Sequence, residues 1–175
     1  MKNRATLCFA GLLFLAGIVS CSSQNQQNGR DIKPEDAAVV LKDYGANPTV
    51  LNIDAYTVAN DNFLTAIWTG TKLQVTLMSI PVGGDIGLEQ HPDNDQFLRI
   101  EDGQARVMMG DSEESLTFIR AAEKDFAILI PAGKWHNIIN TGDRPLKLYS
   151  VYAPAVHPHG AVYKTQEEAE EAHNH

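Results

Sequence analysis

Cysteine is nearly absent: the chain holds only Cys8 and Cys21, both ahead of residue 22. A disulfide framework and a thiolate metal site are therefore excluded from everything downstream. Basic residues are scarce too, 14 Lys and Arg against 22 Asp and Glu, for a formal net charge of −8. Phosphodiester backbones and anionic membrane surfaces repel a chain of that sign, so nucleic acid is excluded as an electrostatic partner. No P-loop is present, since Gly83 and Gly84 belong to a turn without the lysine such a loop needs, and no serine stands in a histidine-containing nucleophile motif. Hydrophobic residues make up 43% of the 175, enough for the packed core of one domain.

The longest apolar run, residues 5–19, follows Lys2 and Arg4 and falls short of the roughly 20 residues that span a bilayer. It reads as a secretory signal. Its small residues ending in Cys21 resemble a bacterial lipobox, which implies that residues 1–20 are removed and Cys21 is lipidated. The chain is then expected to be an exported lipoprotein, periplasmic or at the cell surface, attached to a membrane through its lipid anchor rather than by charge. Without Lys2 and Arg4, 12 basic residues face 22 acidic ones, for a net charge near −10. Residues 22–29 are polar and aperiodic, so residues 21–30 form a flexible tether and residues 31–175 the folded domain.

Pro34, Glu35 and Asp36, the apolar stretch 37–41 and Gly45 supply a helix start, an apolar face and a stop. From Val50 the character is β. Runs at 63–68, 73–80, 96–100, 105–109, 116–119, 126–130 and 146–152 are rich in β-branched and aromatic residues, with Gly and Asp turn signals between them. Such spacing predicts an all-β antiparallel barrel or sandwich rather than βαβ units. Near the end, Thr165 and Glu168 form a capping box that opens a short acidic helix.

Two segments forty residues apart carry the chemistry. The first is Glu89-x-His91-x4-Gln96-x6-Gly103 and the second Pro131-x-Gly133-x2-His136-x3-Asn140. Alternate strand residues share a face, so Glu89 and His91 point the same way, and the turn at 92–95 returns the chain to Gln96 on the next strand. Pro131 and Gly133 shape a rigid, tight bend from which His136 emerges inward.

The paired segments resemble the two motifs of the cupin superfamily, G-x5-H-x-H-x3,4-E-x6-G and G-x5-P-x-G-x2-H-x3-N. With Gly103 as the final glycine of the first motif, Gln96 stands at its Glu, His91 at its second His and Glu89 at its first His. Taking His91 and Asp93 as the histidine pair would instead put Leu98 at the carboxylate and Ala105 at the glycine. In the second motif only the leading Gly differs, replaced by Asp125. Over about residues 50–170 the chain is also similar to single-domain cupins of the mannose-6-phosphate isomerase-like kind. The resemblance implies a jelly-roll barrel with short N- and C-terminal helices, and one divalent metal ion held by Glu89, His91, Gln96 and His136.

Moving the carboxylate from Gln96 to Glu89 leaves the ligand charge at −1. Two imidazoles, a carboxylate and an amide oxygen suit zinc, iron, manganese or nickel without selecting among them. Lys134, Arg99, His157 and His159 are candidates for the pocket around the ion, while Trp135 reads as packing on the opposite strand face. The resulting expectation is a small-molecule cupin of the cell envelope in which the ion acts as a Lewis acid, with a non-catalytic metal or ligand carrier as the alternative. Cupins include isomerases, epimerases and dioxygenases, so the family does not choose a reaction. A phosphosugar isomerase fits less well, because it needs a cluster of cations. The apolar strands allow a homodimer.

Overall fold

The computed structural model describes residues 38–173. The expected signal, Cys21 and the tether lie outside the described residues, as does the start of the helix read at 34–45. Its remainder, residues 38–45, contains no helix. The N-terminal helix instead lies further on, as α1 (Ile53–Ala59), where the sequence suggests β structure. Asn52 caps it by accepting from Ala55 N–H at 3.2 Å, and Tyr56 and Thr57 are buried beneath it. Tertiary packing here overrides the modest helix propensity of Ile, Thr and Val.

Among the described residues ten strands follow, and all paired strands are antiparallel. One sheet has the order β10 (Val162–Tyr163), β1 (Leu64–Thr69), β2 (Gln74–Ile80), β9 (Leu146–Ala153), β4 (Asp95–Asp102) and β7 (Ala127–Ile130). The other runs β3 (Glu89–Gln90), β8 (Trp135–Asn140), β5 (Gln104–Gly110) and β6 (Phe118–Glu123). Leu98, Ile100, Leu146 and Leu148 from the larger sheet and Val107 and Ile138 from the smaller one belong to a single buried core, so the sheets close on each other as a jelly-roll barrel. A second, smaller core forms outside the larger sheet, where Tyr56 of α1 joins Ile67 and Leu77.

Alternation sets which residues face inward. In β4 the core-facing positions are Gln96, Leu98 and Ile100, with Glu101 buried as well on the other face, and in β8 they are His136, Ile138 and Asn140, with Trp135 on the opposite, half-exposed face. The strand at β8 is not evident from composition, because two of its three inward residues, His136 and Asn140, are polar. The last described element is α2 (Gln166–His173), where Thr165 Oγ1 accepts from Glu168 N–H at 3.2 Å and Glu168 returns a carboxylate to Lys164 N–H. Ala169 of α2 reaches the main core. Among the described residues no helix is long and apolar enough to cross a membrane.

Candidate metal centre

The two motif segments are joined at Gly133. Its φ of +76° is in the left-handed region open to glycine, its N–H donates to the His91 carbonyl at 2.9 Å, and its carbonyl accepts from Gln90 Nε2 at 2.9 Å. These bonds align β3 with β8 so that Glu89 and His136 are register partners. The result is a cluster in which one donor atom each from Glu89, His91 and His136 lies within 4.8 Å of the others.

Glu89 Oε1 sits 3.2 Å from His136 Nε2 and 3.4 Å from His91 Nε2. Donors bound tetrahedrally to one ion at about 2.1 Å stand roughly 3.4 Å apart, so these separations are those of a ligand shell. His136 is fully buried, and its Nδ1 lies 2.9 Å from the Lys134 carbonyl, an arrangement that leaves Nε2 directed at the centre. His91 Nε2 is buried without a hydrogen bond. Burial raises the Glu89 carboxyl, but contacts with His136 and then His91 outweigh it and hold the group down at about 2. The carboxylate is thus ionised at all physiological pH values. Glu89, His91 and His136 together form a candidate metal-binding site whose donors fit a divalent ion.

Gln96 approaches from the other sheet. It is register partner to Tyr152, whose ring meets His91 edge-on at a centroid distance of 5.5 Å, and directly opposed residues share a face. Its Nε2 donates to Ser150 Oγ at 3.0 Å, while Oε1 is buried with no hydrogen-bond partner. An orphaned acceptor on the same interior face is what a fourth ligand requires.

Residues 76–152 match the cupin domain family. YrkC, an uncharacterized protein of Bacillus subtilis, is 54% identical over 143 residues, 81% of this chain and 77% of the relative. The uncharacterized protein L612 of Acanthamoeba polyphaga mimivirus is 40% identical over 114 residues, 65% of this chain and 69% of the relative. The crystal structure of BH2720 from Bacillus halodurans shares 56% identity, covers 75% of this chain and 99% of its own, and superposes with a TM-score of 0.74. The chain belongs to the cupin superfamily. TT1209 from Thermus thermophilus, 18% identical with a TM-score of 0.51 over 60% of this chain and 96% of its own, shares the fold alone.

One departure of this cupin from the family motifs has a structural explanation. Asp125 stands where the second motif begins with Gly and adopts the left-handed φ of 72° that position demands, while its carboxylate pairs with Arg99. Asn140 is a structural residue: its Nδ2 donates to the carbonyls of Ile80, Pro81 and Arg144, and its Oδ1 accepts from Gly142 N–H.

A cavity of about 360 Å³ opens beside Glu89, with Tyr152 and His157 in its wall and Gln166 and Ala169 of α2 across it. Of the four pocket candidates only His157 lines it. Arg99 is held by Glu101 and Asp125, Lys134 by Asp111, and His159 lies 3.5 Å from Asp43; each is drawn to a local carboxylate instead. Tyr152, given no role from sequence, is a wall residue whose phenol is raised in pKa by burial and then by Glu89, against the lowering effect of Ser150. Its period-two alternation with Leu148 and Ser150 was the available signal.

Proposed function

We propose that this cupin is an exported, lipid-anchored protein that holds one divalent ion at Glu89, His91, Gln96 and His136 and binds or transforms a small molecule in the adjoining cavity. The observation that carries the reading is the Glu89, His91 and His136 donor triangle, with the buried, orphaned Gln96 oxygen facing the same interior. A bound ion would supply Lewis acidity to an oxygen of that molecule. This chain's residues hold it and orient the ligand against Tyr152, with Gln166 and Ala169 of α2 across the cavity.

Elemental analysis of untagged protein tests the reading. About one ion per chain is expected, falling in Glu89→Ala, His91→Ala and His136→Ala. Turnover of a small-molecule panel that depends on the ion favours an enzyme, and metal without turnover favours the carrier. Phosphosugar isomerisation has the weakest support, because Arg99 and Lys134 pair with carboxylates outside the cavity. For the anchor, Cys21→Ser is expected to move the protein from the membrane fraction to the soluble one. Phe118, Ile119 and Leu129, exposed on β6 and β7, support a homodimer that light scattering would detect.

A further inference from the structure

We propose that the cavity beside Glu89 accepts an uncharged small molecule with an apolar body and one oxygen, of the alcohol, ketone or phenol class, and rejects phosphorylated ligands. The metal reading above determines where that oxygen is received; the cavity wall determines the rest. Phe63, Leu64, Met78, Ile86 and Leu88 give the wall five apolar side chains. Its charged members are acidic, Glu89 at the base and Glu170 on the exposed side of α2, and among the described residues no Lys or Arg lines it.

Charge decides the class. A divalent ion set against Glu89 and Glu170 sums to zero, so a neutral ligand leaves the site balanced. A phosphate dianion would enter beside two carboxylates with no cation to pair with beyond the ion, and uncompensated charge in a partly desolvated site is strongly disfavoured. One polar wall group is engaged already, since Gln166 Nε2 donates to Asp85 Oδ1 at 3.2 Å. The Tyr152 hydroxyl, in the same wall as His157, is placed to donate to a ligand oxygen. At about 360 Å³ the cavity lies near the lower end of ligand sites, which suits one ring or a short chain.

Ala169 sets the depth. It is buried in the core and also lines the cavity, so a larger side chain there fills ligand space, and zinc content reports whether the metal ligands are disturbed. The test uses the full chain loaded with zinc, its content checked by elemental analysis, and titrates benzyl alcohol, acetophenone and benzyl phosphate by calorimetry and ligand-observed NMR. The neutral probes are expected to bind at least about tenfold more tightly than the phosphate. Ala169→Phe should weaken the neutral probes by about tenfold or more with zinc content unchanged. Glu170→Lys, an exposed substitution compatible with folding, should narrow the gap by strengthening benzyl phosphate. Phosphate binding tightest in the wild type, or neutral binding indifferent to a folded Ala169→Phe, overturns the proposal while leaving the metal reading intact. If zinc fails to bind, the metal reading falls instead. The same titrations on the metal-free chain then decide the cavity, where a neutral preference supports the proposal and a phosphate preference ends it.

Discussion

Glu89 and His136 face each other across β3 and β8 with 3.2 Å between Oε1 and Nε2. Because a carbonyl can only accept, the Lys134 oxygen 2.9 Å from His136 Nδ1 places a proton on that nitrogen, and Nε2 then holds either a lone pair or a second proton. A lone pair against a carboxylate is repulsive at this distance. The contact becomes favourable with a proton or a cation between the two atoms, and a third donor, His91 Nε2, stands 3.4 Å from the same oxygen. The three donors together therefore suit a shared positive charge, and a divalent ion satisfies all of them at once.

Metal removal follows from this arrangement. An ion present at 100 times its dissociation constant stabilises the folded chain by about 2.7 kcal/mol. Melting curves with and without chelator should differ by several degrees in the wild type. In His136→Ala the chelator should have almost no effect. A wild type insensitive to chelator after reconstitution with zinc, manganese, nickel and iron would remove the metal centre.

Most of the barrel was legible because strands alternate and their turns carry Gly and Asp, and the site because both motifs kept their spacing. What escaped did so for physical reasons. The residues of α1 have strand-like propensities and fold as a helix because Asn52 caps them and Tyr56 finds a pocket outside the larger sheet. The apolar run at 116–119 suggests a strand there, whereas β6 runs Phe118–Glu123; it is an exposed edge, so its inward pattern is weak. Arg99 and Lys134 stand within the motif segments, yet Arg99 is engaged by Glu101 two residues along the same strand and by Asp125, and Lys134 by Asp111; the last two pairings exist only once the chain folds.

Asp43 illustrates a structural residue that no motif marks. Its carboxylate accepts from Gly45 N–H, from the N–H and hydroxyl of Thr69, and from Gly160 N–H, tying the N-terminal segment to β1 and to the loop before β10. Its side chain is 1% exposed. Burial raises its pKa, but the Thr69, Gly160 and Gly45 bonds and then His159 outweigh it, so the folded value lies below the ordinary 3.8. A lowered folded pKa means that the stabilisation is complete above pH 3.8 and is lost as pH falls through the folded value. Asp43→Ala should cost on the order of 2 kcal/mol at neutral pH, by leaving donors without an acceptor. Denaturant melts should show the difference between mutant and wild type shrinking below pH 3.8.

Gly103 turns the chain from β4 into β5 with φ at +97°, and a Cβ there would stand 3.0 Å from the Leu146 Cα and 3.3 Å from the Pro145 carbonyl. Both contacts are to backbone that cannot swing aside. Gly103→Ala should therefore destabilise by about 1–3 kcal/mol through backbone strain. Because the turn lies at the far end of β4 from Gln96, metal stoichiometry in the folded mutant should match the wild type. Chemical denaturation measures the first outcome and elemental analysis the second.

Gln96→Glu separates a ligand from a buried amide. In the wild type Oε1 is an acceptor with no donor, a costly position unless something positive faces it. If that something is the ion, a carboxylate at 96 adds a full charge to the ligand set and should tighten metal binding by at least about tenfold, since ligand charge is a principal control of affinity. The same substitution should weaken the metal-free protein, because Ser150 offers the new carboxylate only a single hydroxyl, and the unpaired charge remains buried. Thermal stability should thus fall without metal and recover on its addition, by more than the wild type gains. Equal destabilisation with and without metal would mean that Gln96 faces the interior but not the ion, leaving Glu89, His91 and His136 as the protein's ligands.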